Sequence, residues 1–74
     1  MVTIQLNLTL IDIIGQKEVY VGIEQPTSLT DLLEKLGLPK EEVGIVIRND
    51  RWSPIECIIE ANDRIQLFPN LSGG

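Results

Sequence analysis

The chain ends in two consecutive glycines, Gly73 and Gly74, and these residues are its strongest candidates for chemistry. The acyl carbon of a terminal glycine has no Cβ beside it, so a nucleophile or a phosphate can approach the Gly74 carboxylate from either side. Two glycines also give the backbone conformations that are closed to other residues, and so let it pass through a narrow channel. We expect this tail to enter the active site of another protein, with an ordinary frayed chain end as the alternative.

A proline marks the start of this tail. Pro69 follows the strand-like segment Arg64–Phe68, and a proline cannot donate a hydrogen bond to a sheet ladder. Six residues follow Phe68, and extended chain advances about 3.3–3.6 Å per residue, so the terminal carboxylate can reach roughly 20 Å from the domain. The sequence therefore predicts one domain over residues 1–68 and a flexible C-terminal tail over residues 69–74.

Few other residues suit catalysis. Histidine is absent, which removes Ser–His and Cys–His pairs and most zinc sites. Cys57 is the single cysteine, which excludes an internal disulfide and a four-cysteine iron–sulfur cluster, and its isoleucine neighbours indicate a buried small hydrophobe. Four acidic residues are expected to be solvated surface groups: Asp12, Glu41, Glu42 and Asp63. The sequence therefore predicts a carrier or substrate protein, not an enzyme, with no bound cofactor or metal.

Composition limits the class of partner. The chain has 74 residues, enough for one small domain, and 11 acidic against 6 basic residues give a net charge of −5. Nucleic acid is disfavoured because phosphate neutralisation needs a basic face, whereas a partner with a basic docking surface would be attracted. We see no signal peptide and no apolar stretch near the ~20 residues that span a bilayer, so a cytoplasmic protein without membrane contact is expected.

The first half of the chain predicts two strands and a helix. Val2–Leu10 alternates strictly between apolar and polar residues, Ile11–Lys17 breaks the alternation as a hairpin loop, and Glu18–Glu24 resumes it as an antiparallel strand. A stripe of leucines with helical spacing then predicts a helix over Leu29–Leu36. Its expected boundaries are an N-terminal cap at Ser28 and a glycine end at Gly37.

The second half predicts three strands. Val43–Arg48 is rich in β-branched residues and is expected to be buried on both faces. Trp52 is expected to pack over the loop that follows. The remaining segments are predicted as a turn, a loop with a short strand near Glu56–Ile59, a second turn and a last strand: Asn49–Asp50, Arg51–Glu60, Ala61–Asp63 and Arg64–Phe68.

This order of elements predicts an α+β fold of the ubiquitin-like β-grasp type. A mixed sheet of four to five strands would pack on one main helix, because a single stripe of leucines can cover only one face of the sheet. In that arrangement the final strand lies centrally and the tail leaves from the end of the sheet.

Several motifs carry a family resemblance. They are an apolar first loop ending in glycine, a helix start, a strand ending in Asn-Asp, a last strand with a Phe-Pro lead-in, and the tail: Leu10–Gly15, Pro26–Leu33, Val46–Asp50, Asn62–Pro69 and Leu71–Gly74. Together they resemble the MoaD/ThiS family of ubiquitin-like sulfur carriers, and most of all its molybdopterin synthase small subunits. Asp50 and Asn62 stand where the family more often has glycine, and both residue types accept left-handed backbone conformations. The first loop also lacks the basic residue often found in those small subunits.

The resemblance implies a mechanism. An adenylyltransferase of the ubiquitin-activating type would bind the carrier with ATP and adenylate the Gly74 carboxylate. A sulfur donor would convert the adenylate to a thiocarboxylate, which would donate sulfur inside a synthase subunit. The other residues implied at this site thread the tail (Ser72 and Gly73) or contact the partner (Phe68, Pro69 and Leu71).

Three alternatives stay open at this point. The sulfur could serve molybdopterin synthesis, which we favour, or thiamine synthesis. The same adenylate could instead attach the chain to other proteins as a ubiquitin-like modifier through Gly74. The chain could also be an interaction module in which the two glycines have no role.

Overall fold

The computed structural model describes residues 1–70 of the chain. Within these residues there are seven strands: β1 Val2–Leu6, β2 Glu18–Val21, β3 Thr27–Ser28, β4 Val43–Arg48, β5 Arg51–Ser53, β6 Ile58–Ile59 and β7 Arg64–Pro69. The described part also contains two α-helices, α1 Thr9–Ile14 and α2 Leu29–Leu36, and a 3₁₀ turn at Lys40–Glu42.

The last strand lies at the centre of the main sheet. Five strands form this sheet in the order β2-β1-β7-β4-β5, and β3 pairs with β6 in a separate two-stranded ladder. β7 runs parallel to β1 and antiparallel to β4, which makes the sheet mixed. The predicted α+β β-grasp fold and the central position of its last strand are confirmed. The last strand is therefore held between two neighbouring strands as far as Leu67, and Phe68 and Pro69 are paired with β4 alone.

Helix α2 covers one face of this sheet and has the predicted bounds. The Ser28 hydroxyl accepts a hydrogen bond of 3.2 Å from the Asp31 amide at the N-terminus, and Gly37 ends the helix at φ 77. Leucines of the helix are fully buried against the inner residues of β1 and β7. This core includes Val2, Ile4, Leu6, Leu29, Leu32, Leu33, Ile65 and Leu67.

The predicted strand over Val2–Leu10 is too long, and the predicted hairpin loop over Ile11–Lys17 is wrong in its first half. β1 ends at Leu6, and α1 occupies Thr9–Ile14 before Gly15 ends it at φ 86. Leu10 continues the apolar alternation beyond the end of β1, but it is buried as a residue of α1 and not as part of a strand.

Two predictions for the second half also need correction. β4 is not buried on both faces, because α2 covers only the inner face and Ile45 on the outer face is 41% exposed. A strand, β5, starts directly after the Asn49–Asp50 turn, where a loop was predicted. Both turn residues have positive φ, as does Asn62, so the left-handed conformations expected of Asp50 and Asn62 are confirmed.

The described part of the chain has no helix of the length and apolarity that a membrane span requires.

Candidate functional site

The base of the C-terminal tail is fixed to the start of β4. Pro69 is buried and lies opposite Val43 in the β4–β7 pair. The next residue, Asn70, donates its backbone N–H to the Glu42 carbonyl oxygen at 2.9 Å. The chain therefore remains attached to the domain one residue beyond the last strand.

Gly44 lies beside this attachment, where there is no room for a side chain. A Cβ on Gly44 would lie 2.8 Å from the Cα of Asn70 and 2.8 Å from the carbonyl oxygen of Pro69. Both atoms belong to the backbone, so no side-chain rotation could relieve the contact. A glycine inside a strand commonly marks such a close backbone approach. The register of the β4–β7 pair also shifts between Val43 and Ile45, on either side of this residue.

An apolar patch covers the outer face of the sheet next to the tail base. Phe68 pairs with Ile45 across β7 and β4, and Ile47 pairs with Trp52 across β4 and β5. Successive residues of a strand point to opposite faces of the sheet, and paired residues point to the same face. Ile45, Ile47 and Phe68 are each next to a buried residue of their strand, and Trp52 is paired with Ile47, so all four lie on the face opposite to α2. None of the four belongs to the core cluster that the described residues form. We call this surface, formed by Ile45, Ile47, Trp52 and Phe68, the outer patch.

Trp52 exposes 71% of its surface, which contradicts the prediction that it packs over a loop. The reason is the missed strand: β5 holds Trp52 on the outer face of the sheet, where no described element covers it. The sequence offered one signal for this position, since Arg51 and Ser53 on either side of the tryptophan are polar. Alternation over three residues was too short to identify a strand.

An open groove of about 360 Å³ lies between the first half of β4 and the segment that follows β5. It joins the tail base to the end of the outer patch, because its lining includes Gly44, Trp52, Pro54 and Ile55. Glu41 and Glu56 also line it and give it acidic borders, with Lys40 as the nearby cation. A partner that grips the tail base and the outer patch would therefore cover this groove as well.

Two of the site residues that the resemblance implies, Phe68 and Pro69, lie in the described part of the chain. Phe68 is half-buried on the outer patch, and Pro69 is buried under the tail base. The implied partner contact at Leu71, the threading residues Ser72 and Gly73, and the reactive carboxylate of Gly74 lie outside the described residues.

Asp63 is buried, which corrects the prediction that it is a solvated surface group. Its carboxylate accepts hydrogen bonds from Arg48 Nε at 2.7 Å, from Asn49 Nδ2 at 2.9 Å and from the Glu60 amide at 2.8 Å. Burial alone would raise the pKa of Asp63, but these hydrogen bonds outweigh it and the pKa is lowered. The carboxylate lies at the start of β7, whereas the tail base lies at its end, so Asp63 serves the fold and not the tail.

Cys57 is half-buried and packs against the core, in the manner expected of a small hydrophobe. Burial raises the pKa of its thiol and outweighs the opposing effect of Arg48. A raised pKa disfavours the thiolate, which is the reactive form of cysteine. The other acidic side chains of the sequence-based prediction, Asp12, Glu41 and Glu42, are exposed. Residues 1–70 contain no group of three or more His, Cys, Asp or Glu side chains that could bind a metal ion.

A mixed five-stranded sheet on one main helix, with its last strand central, defines a ubiquitin-like β-grasp protein. The sequence profile of the family described as Mut7-C ubiquitin matches residues 2–73, and the chain belongs to this family. The resemblance to ubiquitin-like carriers is thereby confirmed at the level of family and fold. No curated protein matches the sequence.

Solved structures agree with this assignment of the fold. SAMP1 from Haloferax volcanii is 23% identical, with a TM-score of 0.73 and coverage of 99% of this chain and 98% of that one. The Haloferax volcanii HVO 2177 protein is 21% identical, with a TM-score of 0.76 and coverage of 99% and 85%. A Pyrococcus furiosus protein described as a candidate molybdopterin converting factor, subunit 1, is 15% identical, with a TM-score of 0.73 and coverage of 95% and 97%. At these identities the likeness concerns the fold alone.

Proposed function

We propose that this protein is a sulfur carrier whose C-terminal carboxylate is activated by an ATP-dependent adenylyltransferase. The observation that carries the proposal is the tail base: the central strand ends at Pro69, beside an exposed apolar patch, and four residues ending in Gly-Gly follow Asn70. This arrangement suits a chain end that one partner surface grips while its active site receives the terminal carboxylate.

The reaction has two steps, and partners supply the catalytic groups for both. In the first, a Gly74 carboxylate oxygen attacks the α-phosphorus of ATP and pyrophosphate leaves, giving an acyl-adenylate. In the second, a sulfide-level donor attacks the acyl carbon and AMP leaves, giving a thiocarboxylate. The absence of a Cβ on Gly74 keeps both approaches open, and Gly73 and Ser72 thread the channel that leads to them.

The outer patch is the proposed contact surface for the activating enzyme. Aromatic residues are enriched among the residues that dominate binding energy, and an exposed apolar cluster marks an interaction surface. Phe68 and Pro69 connect this surface to the tail, and Leu71 would extend it. The net charge of −5 favours a partner with a basic docking surface and makes the association rate salt-dependent.

Molybdopterin synthesis is our preferred destination for the sulfur, with thiamine synthesis second. The support is the Phe-Pro lead-in of the tail and the fold likeness to a candidate molybdopterin converting factor subunit. In this role the protein would also act as the small subunit of the synthase that accepts the sulfur. Cytoplasmic localisation is part of the same proposal, since ATP and the activating enzyme must be available there.

A second candidate function is protein modification. Two solved structures of similar fold are those of a small archaeal modifier protein, and such a modifier could use the same adenylate to form an isopeptide bond. A ladder of higher-mass species that carry this chain in native cells would favour modification. A purely scaffolding role, in which only the outer patch matters, would survive removal of Gly73 and Gly74.

Intact-mass spectrometry tests the carrier chemistry directly. The protein is incubated with ATP, an activating enzyme and sulfide, and we expect a mass gain equal to exchange of one oxygen for sulfur, located at Gly74. Gly74→Ala should keep the fold and slow adenylation sharply, whereas Gly22→Ala is the matched control because a Cβ there meets nothing within 4 Å. The proposal is wrong if an enzyme active on its own carrier gives neither adenylate nor sulfur gain.

A further inference from the structure

The attachment of Asn70 places the start of the tail further along the chain than the sequence predicted. The sequence alone placed the start of the tail after Phe68, with six residues beyond it. In the structure Pro69 is still paired with Val43, and the Asn70 amide is bonded to the Glu42 carbonyl. Residues 71–74 follow this attachment, and their contour length is roughly 13–14 Å at 3.3–3.6 Å per residue.

Gly44 is the residue that permits this attachment. Besides the contacts at 2.8 Å, a Cβ there would lie 3.1 Å from the Asn70 nitrogen, the atom that donates to Glu42. Any other residue at this position would push the Asn70 backbone away from β4. The rest of β4 is mainly valine and isoleucine, which favour strands, so a glycine is a poor choice for the strand itself.

We propose that Gly44 and the Asn70 amide form a tail anchor that fixes where the tail leaves the domain and so sets its working length. This inference rests on the proposed function, because the length matters only if Gly74 must reach a catalytic site while the domain is docked. Gly44 of the tail anchor lines the same groove as Trp52. A docked partner therefore meets the tail at a defined distance from the outer patch. Gly44 and Asn70 are positioning residues, since they act on the tail and supply none of the reacting atoms.

The first test measures the tail anchor without any enzyme. In amide hydrogen exchange followed by NMR, the Asn70 amide of the unmodified protein should be protected by its bond to Glu42. Gly44→Ala should remove this protection and leave the amides of β1 unchanged, while Gly22→Ala, the matched control, should alter neither. Protection of Asn70 that persists in Gly44→Ala would overturn the proposal.

The second test measures working length through adenylation. Deletion of Ser72 shortens the tail by about 3.3–3.6 Å, and a misplacement of even 1 Å at a reacting centre can cost about 100-fold in rate. We expect the deletion to lower kcat of ATP–pyrophosphate exchange about 100-fold at unchanged KM, because the outer patch still docks. Adding Gly44→Ala to the deletion should then restore at least about 10-fold, since the released Asn70 and Pro69 supply the missing length.

Two further outcomes separate the proposals. If the unmodified chain gives no exchange with an enzyme active on its own carrier, the proposed function fails. The tail anchor alone is refuted if the unmodified chain exchanges normally but Gly44→Ala gives no rescue. In that case the rate loss of the double variant equals the product of the losses from the Ser72 deletion and from Gly44→Ala. Asn70→Pro removes the hydrogen-bond donor at position 70 and leaves Gly44 unchanged, so it must give the same rescue. This second variant keeps the test decisive if Gly44→Ala does not fold.

Discussion

The Arg48 guanidinium donates a hydrogen bond of 2.7 Å to the buried carboxylate of Asp63, and this ion pair closes the end of β7 that lies away from the tail. Arg48 ends β4, and Asp63 immediately precedes β7. The pair therefore joins the two strands at their far end, while Val43 and Pro69 pair at the tail end. An intact attachment at both ends keeps the central strand in register.

Asp63→Asn should destabilise the fold by about 1–3 kcal/mol, because an amide has a single acceptor oxygen, cannot accept all three hydrogen bonds and leaves a part-buried donor without its partner. The free energy of unfolding in urea measures this loss. Asp50→Asn is the matched control: it breaks the Arg64–Asp50 ion pair, whose side chains are 64% and 71% exposed. An exposed pair is worth about 0–1 kcal/mol, so equal losses in the two variants would contradict the structural role of Asp63.

The lowered pKa of Asp63 also predicts a pH dependence of stability. Its folded pKa lies below the unfolded value of about 3.9, so the folded state binds fewer protons in this range. The contribution is therefore fully present at neutral pH, falls as the pH drops below about 5, and is lost below the folded pKa. The difference in unfolding free energy between the unmodified protein and Asp63→Asn should shrink between pH 6 and pH 3. A difference that is constant with pH would show that the carboxylate charge is unimportant.

Truncation of Leu10 should cost far more stability than truncation of Leu8, although the sequence alternation places both residues on the same face of a strand. Leu10 is fully buried, whereas Leu8 is 63% exposed at the junction between β1 and α1. Leu10→Ala should cost about 2–5 kcal/mol, as buried leucines generally do. Leu8→Ala, the matched control, should change stability by less than about 0.5 kcal/mol. Similar losses measured in urea would support the longer strand and contradict the helix at Thr9–Ile14.

Local signals account for the parts of the fold that the sequence predicted well. α2 has a leucine stripe, a serine cap and a glycine end within one short segment, and β4 is a run of β-branched residues before a turn. The order of these elements was enough for the β-grasp arrangement. The tail is a prediction from its glycines, and the attachment of its base beside Gly44 depends on two segments that meet only in the folded sheet.

The errors share a different cause. α1 and β5 have six and three residues, and segments this short owe their conformation to tertiary packing more than to propensity. Asp63 looks like any turn residue in sequence, because its partners Arg48 and Asn49 lie 15 and 14 positions away. The wrong prediction for Trp52 followed from the missed strand β5. Long-range pairing, which a single sequence does not display, decided each of these positions.

The exposed indole of Trp52 gives a direct measurement of the outer patch. Trp52 is the single tryptophan, so its fluorescence reports this position alone. The 71% exposure predicts a quenching constant with acrylamide, a neutral quencher, close to that of free tryptophan. Addition of the activating enzyme should lower this constant as the patch is covered. Strong protection from acrylamide in the free protein would contradict the position of Trp52.

Trp52→Ala should weaken docking without weakening the fold. An interface tryptophan at a hot spot contributes about 2 kcal/mol or more, so we expect at least about a 30-fold rise in Kd, or in the KM of adenylation, with kcat unchanged. Stability should change by less than about 0.5 kcal/mol, because no core contact is lost. Tyr20→Ala is the matched control, since Tyr20 is 62% exposed on β2 at the opposite edge of the sheet. Equal effects of the two variants on KM would place the docking surface elsewhere, because the tail base pairs with β4, on the Trp52 side of the sheet.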